Sequence, residues 1–310
     1  MKKIISIVIP TYNEEKNIEE LSNQIELYTK DLDYDFEKIF IDNCSTDNSQ
    51  SIIREICKKN RKVKAIFNNR NFGYTRSPYY GILQAKGDAV ILLCADFQDP
   101  PELIPDLLKK WENGSRVVLL KRTTSNENYF FEKFKIVYYK FMKLASEVNL
   151  TERTSGSGLF DKKIIHELQK INDPYPYQRG LILEVIDKVD VLEFNRPKRI
   201  EGKSNSNFYS LIDVALLGIV KHSKIPLRFV TLFGFFTSIV SLVVGLFFLC
   251  YKLLYWNSFQ LGLTPLILGL FFGISFLVFM LGIIGEYVGF IFTQVRNLPL
   301  VFEKERINFD

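Results

Sequence analysis

The sequence is poor in the residues from which many catalytic and structural centres are built: its 310 residues include four cysteines, two histidines, two tryptophans and three methionines. Cys44, Cys57, Cys94 and Cys250 show no CxxC spacing, which argues against a zinc site and a disulfide framework and fits a reducing compartment. His166 and His222 have no partner arrangement that suggests catalysis, and surface or interface positions suit both. Repeats and low-complexity tracts are absent. The net charge of +5 is mild, and part of it flanks apolar segments, where anionic lipid is a simpler partner than nucleic acid. Charge itself is missing from two long stretches, Phe229 to Tyr251 and Asn257 to Gly285. Each exceeds the roughly 20 apolar residues that a helix needs to cross a bilayer. Two adjacent runs of this length point to a transmembrane hairpin more than to buried helices of a soluble core.

The flanks orient that hairpin. Lys221, Lys224 and Arg228 precede the first run, and Arg296, Lys304 and Arg306 follow the second, whereas the connection offers only Lys252. Positive charge favours the cytoplasmic side, so both ends are expected inside. The N-terminal Met1-Lys2-Lys3 leads into a short apolar run closed by Pro10, too brief for a signal peptide and without a small-residue cleavage site. The expected location is therefore the cytoplasmic (inner) membrane, multi-pass, with the polar domain in the cytosol. Glu286, just inside the second run's end, is the one ionisable group at depth, and such carboxylates are costly enough to call for a partner at the interface or in an oligomer.

The first 120 residues alternate in type. Ile4 to Ile9, Lys38 to Ile41, Val63 to Phe67, Ala89 to Leu93 and Val117 to Leu120 read as strands. Between them, Ile18, Leu21, Ile25 and Tyr28 recur at helical spacing, Asp47 or Ser49 can cap a helix to about Asn60, and Pro100-Pro101 opens one through Trp111. Strands alternating with helices imply an α/β fold with a mostly parallel, Rossmann-like sheet. Ligands in such sheets bind at the carboxyl ends of the strands, which singles out Thr11 to Glu14, Asp42 to Asp47 and Asp96 to Asp99. From Tyr129 to Val148, aromatic and apolar residues at helical spacing interleave with Lys133, Lys135, Lys140 and Lys143. A core helix with solvated lysines and a helix lying on lipid headgroups both explain this pattern. Asn207 to Ile219 suggests a second helix of this kind leading to the first span.

The strongest chemical signal is Cys94-Ala95-Asp96-Phe97-Gln98-Asp99-Pro100-Pro101-Glu102, directly after an apolar strand. Asp96 and the amide oxygen of Gln98, two apart in an extended turn, can face one hard cation, since Mg²⁺ and Mn²⁺ take oxygen ligands and keep phosphate oxygens in their shell. Asp99 reads as the cap of the helix that Pro100-Pro101 opens. The signal is joined by Ile7-Val8-Ile9-Pro10-Thr11-Tyr12-Asn13-Glu14-Glu15, by Phe40-Ile41-Asp42-Asn43-Cys44-Ser45-Thr46-Asp47, by Asn71-Phe72-Gly73 and by Gly87-Asp88.

With these motifs and the terminal hairpin, nearly the whole chain resembles the family 2 glycosyltransferases of GT-A fold, and more closely their polyprenyl-phosphate group. The resemblance implies a GT-A domain over 1–205 with an amphipathic helix at about 129–148. A juxtamembrane amphipathic helix over 206–228, spans at 229–254 and 261–293, and a cytoplasmic tail over 294–310 would follow. It implies that Pro10, Tyr12, Glu14, Cys94 and Ala95 border the nucleotide sugar, with Asp42 bonded to the base. Asp96 would hold Mg²⁺ or Mn²⁺ with help from Gln98, Arg122 would face phosphate, and Arg199 and Lys203 would hold the acceptor or donor phosphates. The implied reaction is inverting transfer from a nucleotide sugar, by family habit a UDP-hexose, to polyprenyl (undecaprenyl) phosphate, by a homo-oligomer that in the family is a tetramer. A hydroxyl acceptor on a lipid-linked saccharide, or an inactive scaffold, are the alternatives.

Two departures stand out. Cys94 occupies a position where the family often has Asp, and Gly156, in Ser155-Gly156-Ser157-Gly158-Leu159-Phe160-Asp161, occupies that of a carboxylate proposed as base. Asp161 reads as a structural cap. A phosphate acceptor explains the second departure, because a phosphate monoester has its second pKa near ~6 and is already mostly a dianion at neutral pH.

Overall fold

A computed structural model describes residues 2–123, 138–142, 144–146, 154–195, 208–255 and 263–309. Its centre is one eight-stranded sheet of order β7-β5-β6-β4-β1-β2-β3-β8. β1 (Ile4–Thr11), β2 (Asp35–Asp42), β3 (Val63–Asn68) and β4 (Ala89–Leu92) form a continuous parallel block. β6 (Thr154–Asp161) runs antiparallel between β4 and β5 (Val117–Arg122), and β7 (Asp190–Phe194) pairs parallel with β5 at one edge. The sheet is thus mixed, and its central block is parallel as the alternating pattern predicts.

The parallel strands are near-continuous apolar runs because both of their faces are covered. Ile5, Ile7 and Ile9 of β1 pack with Ile18, Leu21 and Ile25 of α1 (Ile18–Thr29), Ile53 of α2 (Ser49–Lys59) and Leu107 of α4 (Ile104–Glu112). On the opposite face Val8, Ile39 and Ile41 meet Tyr79 and Ile82 of α3 (Gly73–Gln84), Ile165 and Leu168 of α5 (Lys162–Lys170), and Ile182 of α6 (Gln178–Val185). Asp161 does cap α5: its side chain accepts from the Lys163 amide at 2.9 Å and also holds the Trp111 indole N–H at 2.8 Å. The helix after Asp99 is capped differently from the sequence expectation. It begins as one 3₁₀ turn, Pro101–Leu103, whose N-cap is Pro100 without a side-chain bond.

Gly158 makes the β5–β6–β4 junction possible. Its φ of +147° is open to glycine, and a Cβ there would lie 2.1 Å from the Val118 carbonyl oxygen. Residues 138–142 and 144–145 are helical, with Met142 and Ala145 buried and Phe141 and Leu144 exposed; 129–137, 143 and 147–148 of the expected helix lie outside the described residues.

α7 (Phe208–His222) leads to α8 (Ile225–Leu254) and α9 (Leu263–Arg296). Segments Ile225–Phe247 and Gly269–Arg296 have mean hydropathies of 2.2 and 2.1 and are long enough to cross a membrane. They touch through Phe233 and Phe276, whose rings are 4.4 Å apart. Past α9 the chain corrects one expectation: part of 294–310, read as a tail, is the sheet strand β8 (Glu303–Ile307), antiparallel to β3. Glu286 lies on α9, ten residues before its end at Arg296. Its neighbour Tyr287 donates to the Ser223 carbonyl at 2.7 Å, level with the start of α8.

Candidate functional site

Four loops leave the parallel block at its carboxyl end, and three of them turn through a non-glycine residue in the left-handed region. Asn13 follows β1 (φ 56°), Cys44 follows β2 (φ 64°) and Phe97 follows β4 (φ 57°). Asparagine tolerates this backbone region; for a buried phenylalanine it is strained. Side chains bolt the first two loops together. The Asn13 amide donates to Ser45 Oγ at 2.9 Å while Asn13 Oδ1 accepts from the Thr46 amide at 2.8 Å. The Glu14 amide donates to Ser49 Oγ at 2.9 Å, and the amides of Glu15 and Asn48 bond the side chains of Asp47 and Glu15 respectively.

Asp42 ends β2, paired in register with Thr11 of β1, and is fully buried. Its Oδ2 accepts from the Ser45 amide at 3.0 Å and from Gln50 Nε2 at 2.7 Å, whereas Oδ1 has no hydrogen-bond partner among the described residues. Burial raises this carboxyl above its ordinary value, with the Ser45 and Gln50 bonds opposing. Pro10, near the end of β1, and Tyr12, on the loop that follows, are half-buried. The carboxylate of Glu14 is taken by Asn17, whose Nδ2 donates to it at 2.6 Å.

After β4 the burial alternates: Cys94, Asp96 and Gln98 are half-exposed, while Ala95, Phe97 and Asp99 are buried. Ala95 and Phe97 pack into the core, so of the expected border residues Ala95 offers its backbone alone. Asp96 Oδ1 accepts from the Gln98 amide at 3.1 Å, which folds the loop around that carboxylate. Cys94 Sγ lies 3.8 Å from Ser157 Oγ on β6. Burial and the charges of Asp99 and Asp96 push this thiol well above its usual range, which keeps it neutral and unsuited to a hard cation. No group of three or more His, Cys, Asp or Glu is gathered among the described residues. One carboxylate with a neighbouring amide fits a Mg²⁺ or Mn²⁺ ion whose shell is completed by phosphate and water.

Beside the loop, Gly156 leaves room that Gln178 borders. Gln178 Nε2 donates to the Gly156 carbonyl at 3.0 Å, and its Oε1 is 3.5 Å from where a Cβ on Gly156 would stand. Arg122, at the end of β5, is half-buried, and its Nε has no hydrogen-bond partner among the described residues. Arg199 and Lys203 lie outside the described residues. Sequence reasoning overlooked Ser157, Gln178 and Gln50; each is a single polar residue inside an otherwise ordinary element, and only the fold brings it to the site.

The chain's relatives bear on this arrangement. The family model described as "Glycosyl transferase family 2" matches residues 6–169. A Bacillus subtilis (strain 168) protein, "Uncharacterized glycosyltransferase YkcC", is 31% identical over 95% of this chain and 91% of its own length. The "SfII prophage-derived bactoprenol glucosyl transferase" of Shigella flexneri is 30% identical over 95% of this chain and 96% of its own. Among solved structures, glucosyl-3-phosphoglycerate synthase from Mycobacterium tuberculosis, in complex with Mn²⁺, UDP-glucose and phosphoglyceric acid, superposes with a TM-score of 0.53 at 19% identity, covering 70% of this chain and 78% of that one. That likeness is one of fold, and the fold is GT-A.

Proposed function

The chain belongs to glycosyl transferase family 2, and from that premise we propose that it moves a sugar from a nucleoside diphosphate to a polyprenyl phosphate at the cytoplasmic membrane face. It is a glycosyltransferase; the acceptor, donor and mechanism are the finer reading. The observation that carries the reading is where the apolar hairpin is attached. The chain returns from α9 to the sheet beside Asn68, at the carboxyl end of β3, and that is the end where the four loops lie. An enzyme so built holds its cleft against the surface in which a lipid acceptor resides. Relatives named as bactoprenol glucosyl transferases match 95% of this chain, hairpin included.

In this reading the loops after β1 and β2 take the nucleoside, with Asp42 Oδ1 accepting from the base beside Pro10 and Tyr12. Asp96, with Gln98, holds Mg²⁺ or Mn²⁺, which when bound neutralises the donor's diphosphate. Arg122 stabilises negative charge on the phosphates, a role that is strongest where water is sparse. An oxygen of the lipid phosphate attacks the anomeric carbon from the face opposite the diphosphate. A carbon–oxygen bond to the acceptor forms, the bond to the diphosphate breaks, and the configuration inverts. The attacking phosphate has already lost its proton, so Gly156 in place of a carboxylate costs the reaction no base.

The test is mass spectrometry of lipids after incubating the purified full-length protein with undecaprenyl phosphate, Mn²⁺ or Mg²⁺, and a panel of nucleotide sugars. A glycosyl phospholipid is expected, falling by on the order of 10²-fold or more with Asp96→Ala. Transfer to a saccharide hydroxyl, with lipid phosphate inert, would overturn the acceptor. Absence of both product and nucleotide binding in a calorimeter would favour a scaffold.

A further inference from the structure

Arg70 and Arg76 flank the loop after β3, which adjoins the Asp42 loop: Asn43 accepts from the Phe72 amide at 2.8 Å and donates to Asn71 Oδ1 at 2.8 Å. Arg70 lies 4.7 Å from the centroid of the Phe72 ring and Arg76 lies 5.3 Å from the same centroid. Among the described residues neither meets a carboxylate. The hydrogen bond given to Arg76 runs from Nη2 to the Pro299 carbonyl at 3.2 Å, and its Nε is buried with no hydrogen-bond partner there. The position is also the start of α3, whose first turn holds no acidic residue and whose first amide, Gly73, donates to Asn71 Oδ1 at 2.8 Å. A helix N-terminus adds partial positive charge to two full ones. Burial first, and the nearby Arg70 second, depress the Arg76 guanidinium.

The surroundings identify the anion. Phe72 meets Phe302, centroids 6.2 Å apart, in the segment that joins α9 to β8. Leu298 and Phe302 of this stretch and Val295 in the last turn of α9 are exposed, and Arg296 stands over Phe292. Arginines mixed with exposed apolar side chains, just past the end of an apolar helix, form the composition of a membrane–water boundary. The pair is not placed to serve the Asp96 loop. In the order β4-β1-β2-β3 it follows β3 and so lies three strand spacings from that loop, about 14 Å across the sheet.

We propose that Arg70 and Arg76, gathered on Phe72, clamp the phosphodiester of an anionic phospholipid headgroup where the chain leaves its second apolar helix. The contact seats the β3 edge of the domain on the bilayer and thereby fixes the height of the cleft. It goes beyond the proposed transfer reaction and does not depend on which acceptor is used.

Native mass spectrometry of the full-length protein in detergent tests this, with phosphatidylglycerol, phosphatidylcholine, undecaprenyl phosphate or inorganic phosphate added in turn. The wild type is expected to retain phosphatidylglycerol over phosphatidylcholine, and the Arg70→Gln/Arg76→Gln protein to lose that preference by about tenfold or more. Arg70→Gln alone changes an exposed side chain, so a partial loss with an unchanged melting temperature separates ligand binding from misfolding. Equal retention by wild type and variants overturns the proposal. Displacement of the lipid by inorganic phosphate at like concentration would assign the pair to a soluble anion, and a preference for undecaprenyl phosphate alone would assign it to the acceptor. Loss of nucleotide binding in Arg70→Gln would place it in the donor site; each of these results overturns the headgroup reading.

Discussion

Asp42, proposed to accept a hydrogen bond from the base, carries a stability cost that its environment explains. Its folded-state pKa is raised above the ordinary 3.8, chiefly by burial, so the native protein binds this proton more tightly than the unfolded chain. The ionised carboxylate therefore costs stability. The cost is absent below the ordinary value and grows as pH rises through the raised one. Asp42→Asn keeps an oxygen for Ser45 and Gln50 and removes the charge. Thermal melts are expected to show this variant more stable than wild type at about pH 8, with the gap closing toward about pH 4. Its nucleotide affinity is expected to fall roughly tenfold or more, the scale of one lost charged hydrogen bond. A variant that melts lower at the higher pH would mean that the Ser45 and Gln50 bonds outweigh burial. Asp42, Asp96 and Arg122 were legible because charged residues directly after apolar strands are rarely placed there by packing alone. The left-handed turns at Cys44 and Phe97 were not, because neither residue type favours that backbone region.

The elements that join the domain to the hairpin depend on His222, at the end of α7. It is buried, its Nδ1 is 2.9 Å from Glu184 Oε1 on α6, and its ring fills the space above Gly180, where a Cβ would come within 2.0 Å of Nε2. Burial lowers its pKa from the ordinary 6.5, with Glu184 opposing. The unfolded or undocked histidine then takes a proton first, so the docking it provides is present above the ordinary value and lost as pH falls below it. Hydrogen exchange across α7, corrected for intrinsic rates, should quicken between about pH 7.5 and about pH 5.5 in wild type and respond less in His222→Gln. An identical response in both would exclude His222 as its source. The same elements show what sequence could reveal. β1, β3, β4 and β5 are largely β-branched or apolar runs whose composition names them, and β2 shows only its Lys38 to Ile41 end, whereas α3 contains Pro78 and the run Gly-Tyr-Thr-Arg-Ser-Pro from Gly73, which carries no clear helical stripe. β6 holds Gly156 and Gly158, and becomes a strand because β4 and β5 supply hydrogen bonds on both sides.

At the scale of the whole molecule, the last strand decides how the parts are related. β8 reads Glu-Lys-Glu-Arg-Ile, a charged sequence typical of a protected sheet edge and easily taken for a tail. Its pairing with β3 means that the chain leaves the domain at α7 and comes back to the same sheet, so both ends of the apolar hairpin are tied to one domain. The anchorage is more than one ion pair. Arg54 meets Glu305 at 2.7 Å with both side chains about a third exposed, a contact worth about 0–1 kcal/mol. Asn308 Nδ2 donates to the carbonyls of Cys57 and Val63 at 2.9 and 2.8 Å, and Tyr80 bonds Glu303. Glu305→Gln is accordingly expected to leave the melting temperature and product formation nearly unchanged. Deleting 303–310 should lower the melting temperature by several degrees or more, because it bares the β3 edge and removes a whole ladder of backbone bonds. It should also reduce glycosyl-lipid formation although Asp42, Asp96 and Arg122 all remain, since the returning strand is what fixes the far end of the hairpin against the sheet. Full activity in the truncated protein, measured in the same lipid assay, would show that α7 alone holds the cleft at the membrane.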